Sequence, residues 1–391
     1  MKITCIHQGY ELYGSDRTFI DCVDFLRDLY PSAGIEIVLP REGALSQAMR
    51  AQGRDVQICD LWVLRKSYGV AGLLARAMRL PAYIRRARRL TRDSDLVYIN
   101  TGVIFDFTLA ARLHRTRTVI HVHEIPQARV RPLFRSLLTF AGCGVIFNSK
   151  ASRDGLALPA SIPQTIVYNG TNMPPETSLP RDPRAPSDPL RVLMIGRINA
   201  WKGQDLLIEA LALLPADRRG RIVVRVLGDV FETAPFLDRL RSQVAEAGLA
   251  GQVEFKGFHA DPDADYAWSD LVVVPSREPE PFGLVAIEAM SHAKPVIVAG
   301  HGGLVEIVLD GEHGWHFTPN DAGSLAAMLV RAQDEADSLP PLGLAARERV
   351  RAMFPRDTFR ANFQAAVKTL TASPSEQRSS VEHLSGRNDV G

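Results

Sequence analysis

Two doubly wound α/β domains are predicted for this chain of 391 residues, on three observations. Short apolar runs rich in β-branched residues recur at spacings that leave room for a helix between them. Several runs are apolar on both faces, as parallel strands covered by helices on both sides must be. A proline-rich stretch separates the runs into two sets, and the length exceeds one ordinary core at roughly 150 residues per domain.

The first set comprises Ile3 to His7, Ile35 to Leu39, Val56 to Cys59, Leu96 to Asn100, Thr118 to Val122, Val145 to Phe147 and Ile166 to Tyr168. The second comprises Val192 to Ile195, Ile222 to Leu227, Val253 to Phe255, Leu271 to Val274 and Val296 to Val298. Between them, prolines at 174, 175, 180, 183, 186 and 189 remove backbone donors that regular structure needs. The expected division is therefore a Rossmann-like domain over 1–173, a linker over 174–189 and a second Rossmann-like domain over 190–354. A helix over 355–372 is expected to return to the first domain. The polar, serine-rich segment 373–391 cannot bury enough apolar surface to offset its chain entropy and reads as a disordered tail. Open α/β sheets bind ligands beyond the carboxyl ends of their strands, so two such domains would face a cleft lined by strand-end motifs.

Composition narrows the function. With 46% hydrophobic and 23% charged residues the chain is globular, and a net charge of +2 gives no general affinity for nucleic acid. Cys5, Cys22, Cys59 and Cys143 are widely spaced and lack CxxC pairing, which argues against a disulfide framework or structural zinc and favours a reducing, cytoplasmic setting. The opening MKITCIH lacks the apolar core of a secretory signal, and Ser136 to Phe147 is too short to cross a bilayer, which takes about 20 residues.

Two motifs in the second half carry chemistry. After the strand Val192 to Ile195 come Gly196-Arg197 and then Trp201-Lys202-Gly203 before an apolar helix. An arginine fork and a lysine at a strand-to-helix turn suit a diphosphate, and solvated loop cations would look the same locally. The second motif is PSREPEPFGLVAIEAM, with Glu280 in a loop after Leu271 to Val274 and Glu288 on the helix that follows. A loop carboxylate can reach a sugar, and one two turns along the helix can accept from a ribose diol. Because Val285, Ala286, Ile287, Ala289 and Met290 mark that helix as mostly buried, Glu288 needs a partner.

Together, GRINAWKG, EPFGLVAIEAM with its E-x7-E spacing, and GGLVEIVLDGEHGW resemble the group 1 glycosyltransferases, family four, of GT-B fold. The resemblance spans about residues 2 to 370 and is closer in the second half. It implies a retaining transferase that moves a sugar from a UDP- or GDP-linked donor to a saccharide or lipid-linked acceptor, in polysaccharide or glycolipid assembly. Position by position it implies that Arg197 and Lys202 bind the donor diphosphate, Glu288 the ribose and Glu280 the transferred sugar, with Pro281, Phe282, Gly283 and Leu284 beside phosphate and sugar. Leaving-group charge would then be stabilised by cations and backbone amides, so no metal or other cofactor is expected.

In the first half, Gly14-Ser15-Asp16-Arg17 follows the first strand and opens an amphipathic helix that Ser15 or Asp16 can cap. The loop is positioned to meet phosphate through Gly14 and Ser15, although the related enzymes carry a second glycine where this chain has Ser15. The strand Thr118 to Val122 puts His121 and His123 on one face. By resemblance His123 contacts the sugar, donating when neutral and complementing phosphate when charged, whereas His121 serves packing. Glu124 orients the histidine or meets the acceptor. Asn100, Asn148 and Ser149 stand at strand ends, where turn chemistry explains them equally well.

Residues 61–92 carry nine basic side chains (Arg65, Lys66, Arg76, Arg79, Arg85, Arg86, Arg88, Arg89 and Arg92) and no acidic one, interleaved with Leu73, Leu74, Met78, Leu80, Tyr83 and Ile84. Such a segment suits an anionic membrane surface, on the inner face of the cytoplasmic membrane, or a solvated helix, and Pro81 is expected to interrupt it. The DPDAD at 261–265 resembles a metal-binding DxD, but its place before a helix fits an acidic cap. GHGG after Val296 to Val298 lacks the third glycine of a dinucleotide fingerprint. The competing functions are a nucleotide-sugar epimerase of GT-B fold and a non-catalytic sugar-nucleotide-binding protein.

Overall fold

The computed structural model describes residues 1–63, 69–176, 188–230 and 234–372, with the side chains of 69–75 and 234 outside that description. Most of the expected linker, the tail from Ser373, Arg65 and Lys66, and the side chains of Leu73 and Leu74 therefore lie outside the described residues. The chain forms two compact units: Met1–Asn169 joined by Phe359–Gly391, and Gly170–Thr358.

Unit 1 alternates strand and helix: β1 (Lys2–Ile6), α1 (Gly14–Leu29), β2 (Gly34–Leu39), α2 (Ala44–Ala51), β3 (Asp55–Ile58), α3 (Gly69–Thr91), β4 (Leu96–Ile99), α4 (Phe105–Ala111), β5 (Thr118–Val122), α5 (Arg131–Ala141), β6 (Gly144–Phe147), α6 (Lys150–Leu156) and β7 (Gln164–Ile166). Unit 2 continues with β8 (Leu190–Ile195), α7 (Gln204–Leu213), α8 (Ala216–Arg219), β9 (Ile222–Leu227), α9 (Ala234–Glu246), β10 (Val253–Gly257), α10 (Asp263–Trp268), β11 (Leu271–Val274), α11 (Leu284–Ser291), β12 (Val296–Ala299), α12 (Leu304–Ile307), β13 (Gly314–Phe317), α13 (Ala322–Asp334) and α14 (Leu339–Met353). The last helix, α15 (Arg356–Thr371), belongs to unit 1 from Phe359 onward.

Both sheets are parallel, with strand orders β3-β2-β1-β4-β5-β6-β7 and β10-β9-β8-β11-β12-β13. Chain direction across the sheet reverses between β1 and β4 in unit 1 and between β8 and β11 in unit 2. Loops leaving such neighbouring strands diverge and leave a crevice at the carboxyl edge.

Alternation along the strands builds a core on each face of the first sheet. Ile3, Cys5, Ile37, Leu39, Leu96, Tyr98, Val119 and Ile146 face one way, where Phe19, Phe25, Phe359 and Phe363 from α1 and α15 cover them. Ile6, Val38, Val97, Ile99, Ile120, Val122, Val145 and Phe147 face the other way, toward α4 and α5. The four cysteines are unpaired and buried.

Three local expectations need correction. Helix α3 runs through Pro81 instead of stopping there. Leu80, Tyr83 and Ile84 pack on the core beside the proline, and this burial on both sides of Pro81 holds the helix together across the missing donor. Strand β7 begins two residues earlier than expected. Strand β13 had no sequence signal, because GWHF lacks a β-branched run; it forms because Trp315 and Phe317 bury on the second core while its backbone pairs with β12.

Phe363 is fully buried and makes an edge contact with Tyr98 at 5.4 Å between ring centroids. Phe363→Ala should destabilise unit 1 by about 3–5 kcal/mol, read as a lower urea midpoint.

Candidate functional site

In unit 2 Lys202 and Glu280 meet at the reversal between β8 and β11. The turn after β8 is made by Asn199, whose side-chain oxygen accepts from the amides of Trp201 and Lys202 at 3.0 and 3.1 Å. Gly203 ends it at φ 79°, and a Cβ there would lie 2.1 Å from the Pro275 carbonyl oxygen, so only glycine lets this turn approach the end of β11. Two further bonds tie the loops together: Arg277 N to the Trp201 carbonyl at 2.8 Å and Trp201 Nε1 to the Glu278 carbonyl at 3.3 Å.

This approach brings Lys202 Nζ to 2.6 Å from Glu280 Oε1, across 78 positions of sequence. Ser276 Oγ donates to the same oxygen, and His301 Nε2 donates to the Ser276 carbonyl at 2.9 Å. Glu280 is 7% exposed. Burial alone would push its carboxyl up, but Lys202, Ser276 and His301 outweigh burial and hold it below the ordinary range. The Gly303 amide donates to the Glu280 carbonyl at 2.7 Å, which anchors the loop to the turn after β12. Arg197, at the end of β8, is half-buried, and its carbonyl accepts from Gln204 Nε2 at 2.9 Å.

Pro281 and Phe282 lead into α11. The Phe282 ring is buried against Phe354, 5.8 Å between centroids, so the segment turns backbone, not ring, to its open side. Gly283 takes φ 126° with Leu304 Cδ2 at 2.6 Å from where a Cβ would sit, and Leu284 opens the helix, whose first-turn amides have no intrahelical acceptor. Glu288 is half-buried and accepts from the Tyr266 hydroxyl at 3.3 Å. Tyr266 stacks on His292, and His292 pairs with Asp263 at 3.0 Å. Asp265 instead pairs with His259 at 2.6 Å and Arg225 at 3.6 Å, so Asp263 and Asp265 of the DPDAD serve separate pairs at the start of α10, while Asp261 accepts from the Asp263 amide at 3.1 Å. Among the described residues no group of three or more His, Cys, Asp or Glu is placed to hold a metal ion.

In unit 1 the reversal between β1 and β4 carries a buried polar chain. Asp16 Oδ1 lies 2.8 Å from His7 Nε2, His7 Nδ1 lies 3.0 Å from Asn100 Nδ2, and Asn100 Oδ1 lies 2.9 Å from His123 Nε2. Tyr98 donates to Asn100 Oδ1 at 2.6 Å and lies 2.8 Å from His121 Nδ1. The His121 and His123 rings are 4.0 Å apart. Burial and the neighbouring His7 lower the His123 pKa to about 3, and burial also holds His121 well below the ordinary histidine range. The lowered pKa disfavours the charged form, so of the two expected roles the neutral one fits this environment. His123 Nε2 faces Asn100 Oδ1. Glu124 accepts from Thr101 Oγ1 and from the amides of Gly102 and His123, each at 3.1 Å; burial nonetheless raises its pKa.

Helix α1 starts at Gly14, preceded by Tyr13, and Ser15 is exposed in its first turn. Neither Ser15 nor Asp16 is the cap residue. Asp16 instead sits at the third helical position and accepts from the Tyr13 amide at 3.0 Å. Arg76 and Arg86 of the basic segment are engaged internally, bonding to the Asp60 carboxylate and carbonyl respectively.

Sequence reasoning passed over Asn199, Ser276, His301, His7 and Tyr98. His7 and Asn100 each directly follow a strand, and the adjacency of β1 and β4 in a doubly wound sheet would have paired them.

Glu280 yields a pH test. Its carboxyl titrates below its unfolded value, so it stabilises the fold at pH above the ordinary glutamate range and loses that contribution as pH falls toward its folded pKa. Glu280→Gln should therefore flatten the acid limb of stability below about pH 4.5, measured by urea titrations at stepped pH.

Comparison with known proteins places a family match in the second half of the chain. A family model described as "Glycosyl transferases group 1" matches residues 176–348. The chain is 36% identical over 146 residues to mannosylfructose-phosphate synthase of Agrobacterium fabrum, covering 36% of this chain and 32% of that protein. It is 36% identical over 156 residues to D-inositol 3-phosphate glycosyltransferase of Thermomonospora curvata, covering 38% of this chain and 36% of that one. The chain thus spans about a third of the length of these curated relatives. Alr3699/HepE of Anabaena, crystallised with UDP, with UDP and glucose, and with UDP-glucose, superposes with TM-score 0.77 at 25% identity, covering 95% of this chain and 100% of that one. Residues 176–348 thus match the group 1 glycosyl transferases, and the two parallel-sheet units share the GT-B fold of the Anabaena protein.

Proposed function

We propose that this protein is a retaining, metal-independent family-four glycosyltransferase that moves a hexose from a UDP-linked donor to a saccharide or lipid-linked acceptor, in polysaccharide or glycolipid assembly. The observation that carries the reading is the cluster of Arg197, Lys202 and Glu280 at the β8/β11 reversal, with the first turn of α11 beside it. Cations and helix-start amides suit a diphosphate whose charge grows as the sugar leaves. The choice of UDP is supported by the complexes of the Anabaena protein.

In this reading Arg197 and Lys202 hold the diphosphate with the backbone of Gly283 and Leu284, and Glu288 accepts from the ribose. Glu280, Pro281 and Phe282 meet the transferred sugar, the last through its backbone. Unit 1 contributes His123 to the sugar and Gly14 and Ser15 to phosphate. Glu280 and His123 are the catalytic residues. Lys202 reaches a phosphate only by sharing itself between phosphate and Glu280, so the same lysine reports donor occupancy to the carboxylate.

UDP should raise the apparent melting temperature of the full chain, since a ligand that prefers the folded state stabilises it. Arg197→Ala combined with Lys202→Ala should abolish most of that shift while leaving any uridine effect in place; equal losses would contradict a diphosphate role. Transfer should persist in excess chelator. Interconversion of nucleotide sugars without an acceptor would indicate an epimerase, and UDP affinity without turnover a binding protein.

A second surface supports membrane contact on the inner leaflet. Met78 on α3 is 80% exposed among the exposed Arg79, Arg85, Arg88 and Arg89, and α5 exposes Leu133 and Phe140. None of the described helices is long and apolar enough to cross a membrane. Apolar tips among arginines suit an anionic surface, with each basic residue contributing about 1 kcal/mol. The protein should sediment with phosphatidylserine vesicles at low salt and not with neutral ones; equal recovery with both would rule this surface out.

A further inference from the structure

The polar chain in unit 1 has a direction. A carboxylate only accepts, so His7 Nε2 donates to Asp16, and an amide nitrogen only donates, so His7 Nδ1 accepts from Asn100 Nδ2. Asn100 must then present its amide nitrogen to His7 and its oxygen to His123. That oxygen takes the His123 proton on Nε2 and also the Tyr98 hydroxyl. With its hydroxyl proton committed to Asn100, Tyr98 accepts from His121 Nδ1–H, which agrees with His121 Nε2 having no hydrogen-bond partner. The protons of the chain are thus set by the Asp16 carboxylate at one end and by the orientation of the Asn100 amide beside His123. On the other edge of His123, Nδ1 remains an acceptor with Asn148 Nδ2 at a long 3.4 Å.

Resting on the donor reading above, we propose that Asp16, His7 and Asn100 are positioning residues that lock His123 in its Nε2–H tautomer, so that it meets the donor sugar as a hydrogen-bond acceptor through Nδ1. The chain also links the start of α1 to His123, so the two places where unit 1 is proposed to touch the donor share one hydrogen-bonded path. A sugar hydroxyl competes readily with Asn148 for Nδ1, because an amide donor at 3.4 Å makes a weak bond. No proton is transferred; the residue contributes a fixed lone pair. The groups facing His123 are His7 and Asn100 from the β1 and β4 ends, His121 and Tyr98 from β5 and β4, and Asn148 after β6, with Glu124 bonded to its amide.

The tautomer is read in the full-length protein by ¹⁵N shifts of the imidazoles, without any turnover. His123 should be protonated on Nε2 alone from pH 5 to 8. Because asparagine places an oxygen near the position of Nδ1 and glutamine near that of Nε2, His123→Asn should retain at least roughly tenfold more kcat than His123→Gln, with UDP binding equal in both. Asn100→Asp, nearly isosteric, sets a carboxylate against His123 Nε2 and should lift its titration into the assay range, adding an acid limb to kcat that the wild type lacks. If Asn100→Asp fails to fold, Asp16→Asn, which removes the acceptor-only group, should give a mixed His123 tautomer in the same spectra. An Nδ1-protonated His123, a glutamine variant as active as the asparagine one, or an unchanged tautomer in Asp16→Asn would overturn the proposal. Absence of transfer from every nucleotide-sugar donor would instead sink the donor reading, and the spectra would still decide the tautomer.

Discussion

The contact on which the second unit's chemistry depends is the buried pair of Lys202 and Glu280. A carboxylate that is 7% exposed persists in charged form only beside a cation or strong donors, and here it has both. To bring them together the chain must end β8 and β11 side by side, turn sharply at Gly203 and stitch the two loops through Trp201 and Arg277. The parallel topology, the glycine and the hydrogen bonds thus serve one electrostatic requirement. Any anion that draws on Lys202 also changes the field at Glu280.

The first unit solves a comparable problem without a permanent cation. Its strand-end groups are two histidines, an asparagine and a carboxylate, and charge is kept low by arranging donors and acceptors in sequence. Tyr98 and His121 lie on the face covered by Phe363, at 5.4 and 6.1 Å between rings, so the apolar roof of α15 is what keeps that arrangement dry. Unit 2 holds charge by pairing, and unit 1 excludes it by burial.

Much of the fold was legible because strand alternation and run spacing are local signals. The runs ending at Ile195 and Val274 already located the arginine, the lysine and Glu280 in the loops after strands, and Glu288 on the helix that follows. What stayed hidden depends on distances in space. Nothing near Lys202 announces a partner 78 positions away. The sequence left open how His123 is charged and which way its ring donates, because residue type alone carries no account of burial or of neighbours such as Asn100. Pro81 misled for a related reason, since the tertiary packing of Leu80, Tyr83 and Ile84 that carries the helix through it is not visible in local spacing. Strand β13 was invisible because its residues are there for core volume, not for β propensity.

Unit 1 is assembled from two separate stretches of chain, and unit 2 from one continuous stretch lying between them. During synthesis from the amino terminus, Phe25 and Tyr98 therefore wait for Phe359 and Phe363, which emerge only after all of unit 2. The nascent first half carries an open aromatic face through most of translation, while unit 2 has every residue it needs to close before the last helix arrives. Completion of the first unit thus comes only after all of the second has been synthesised.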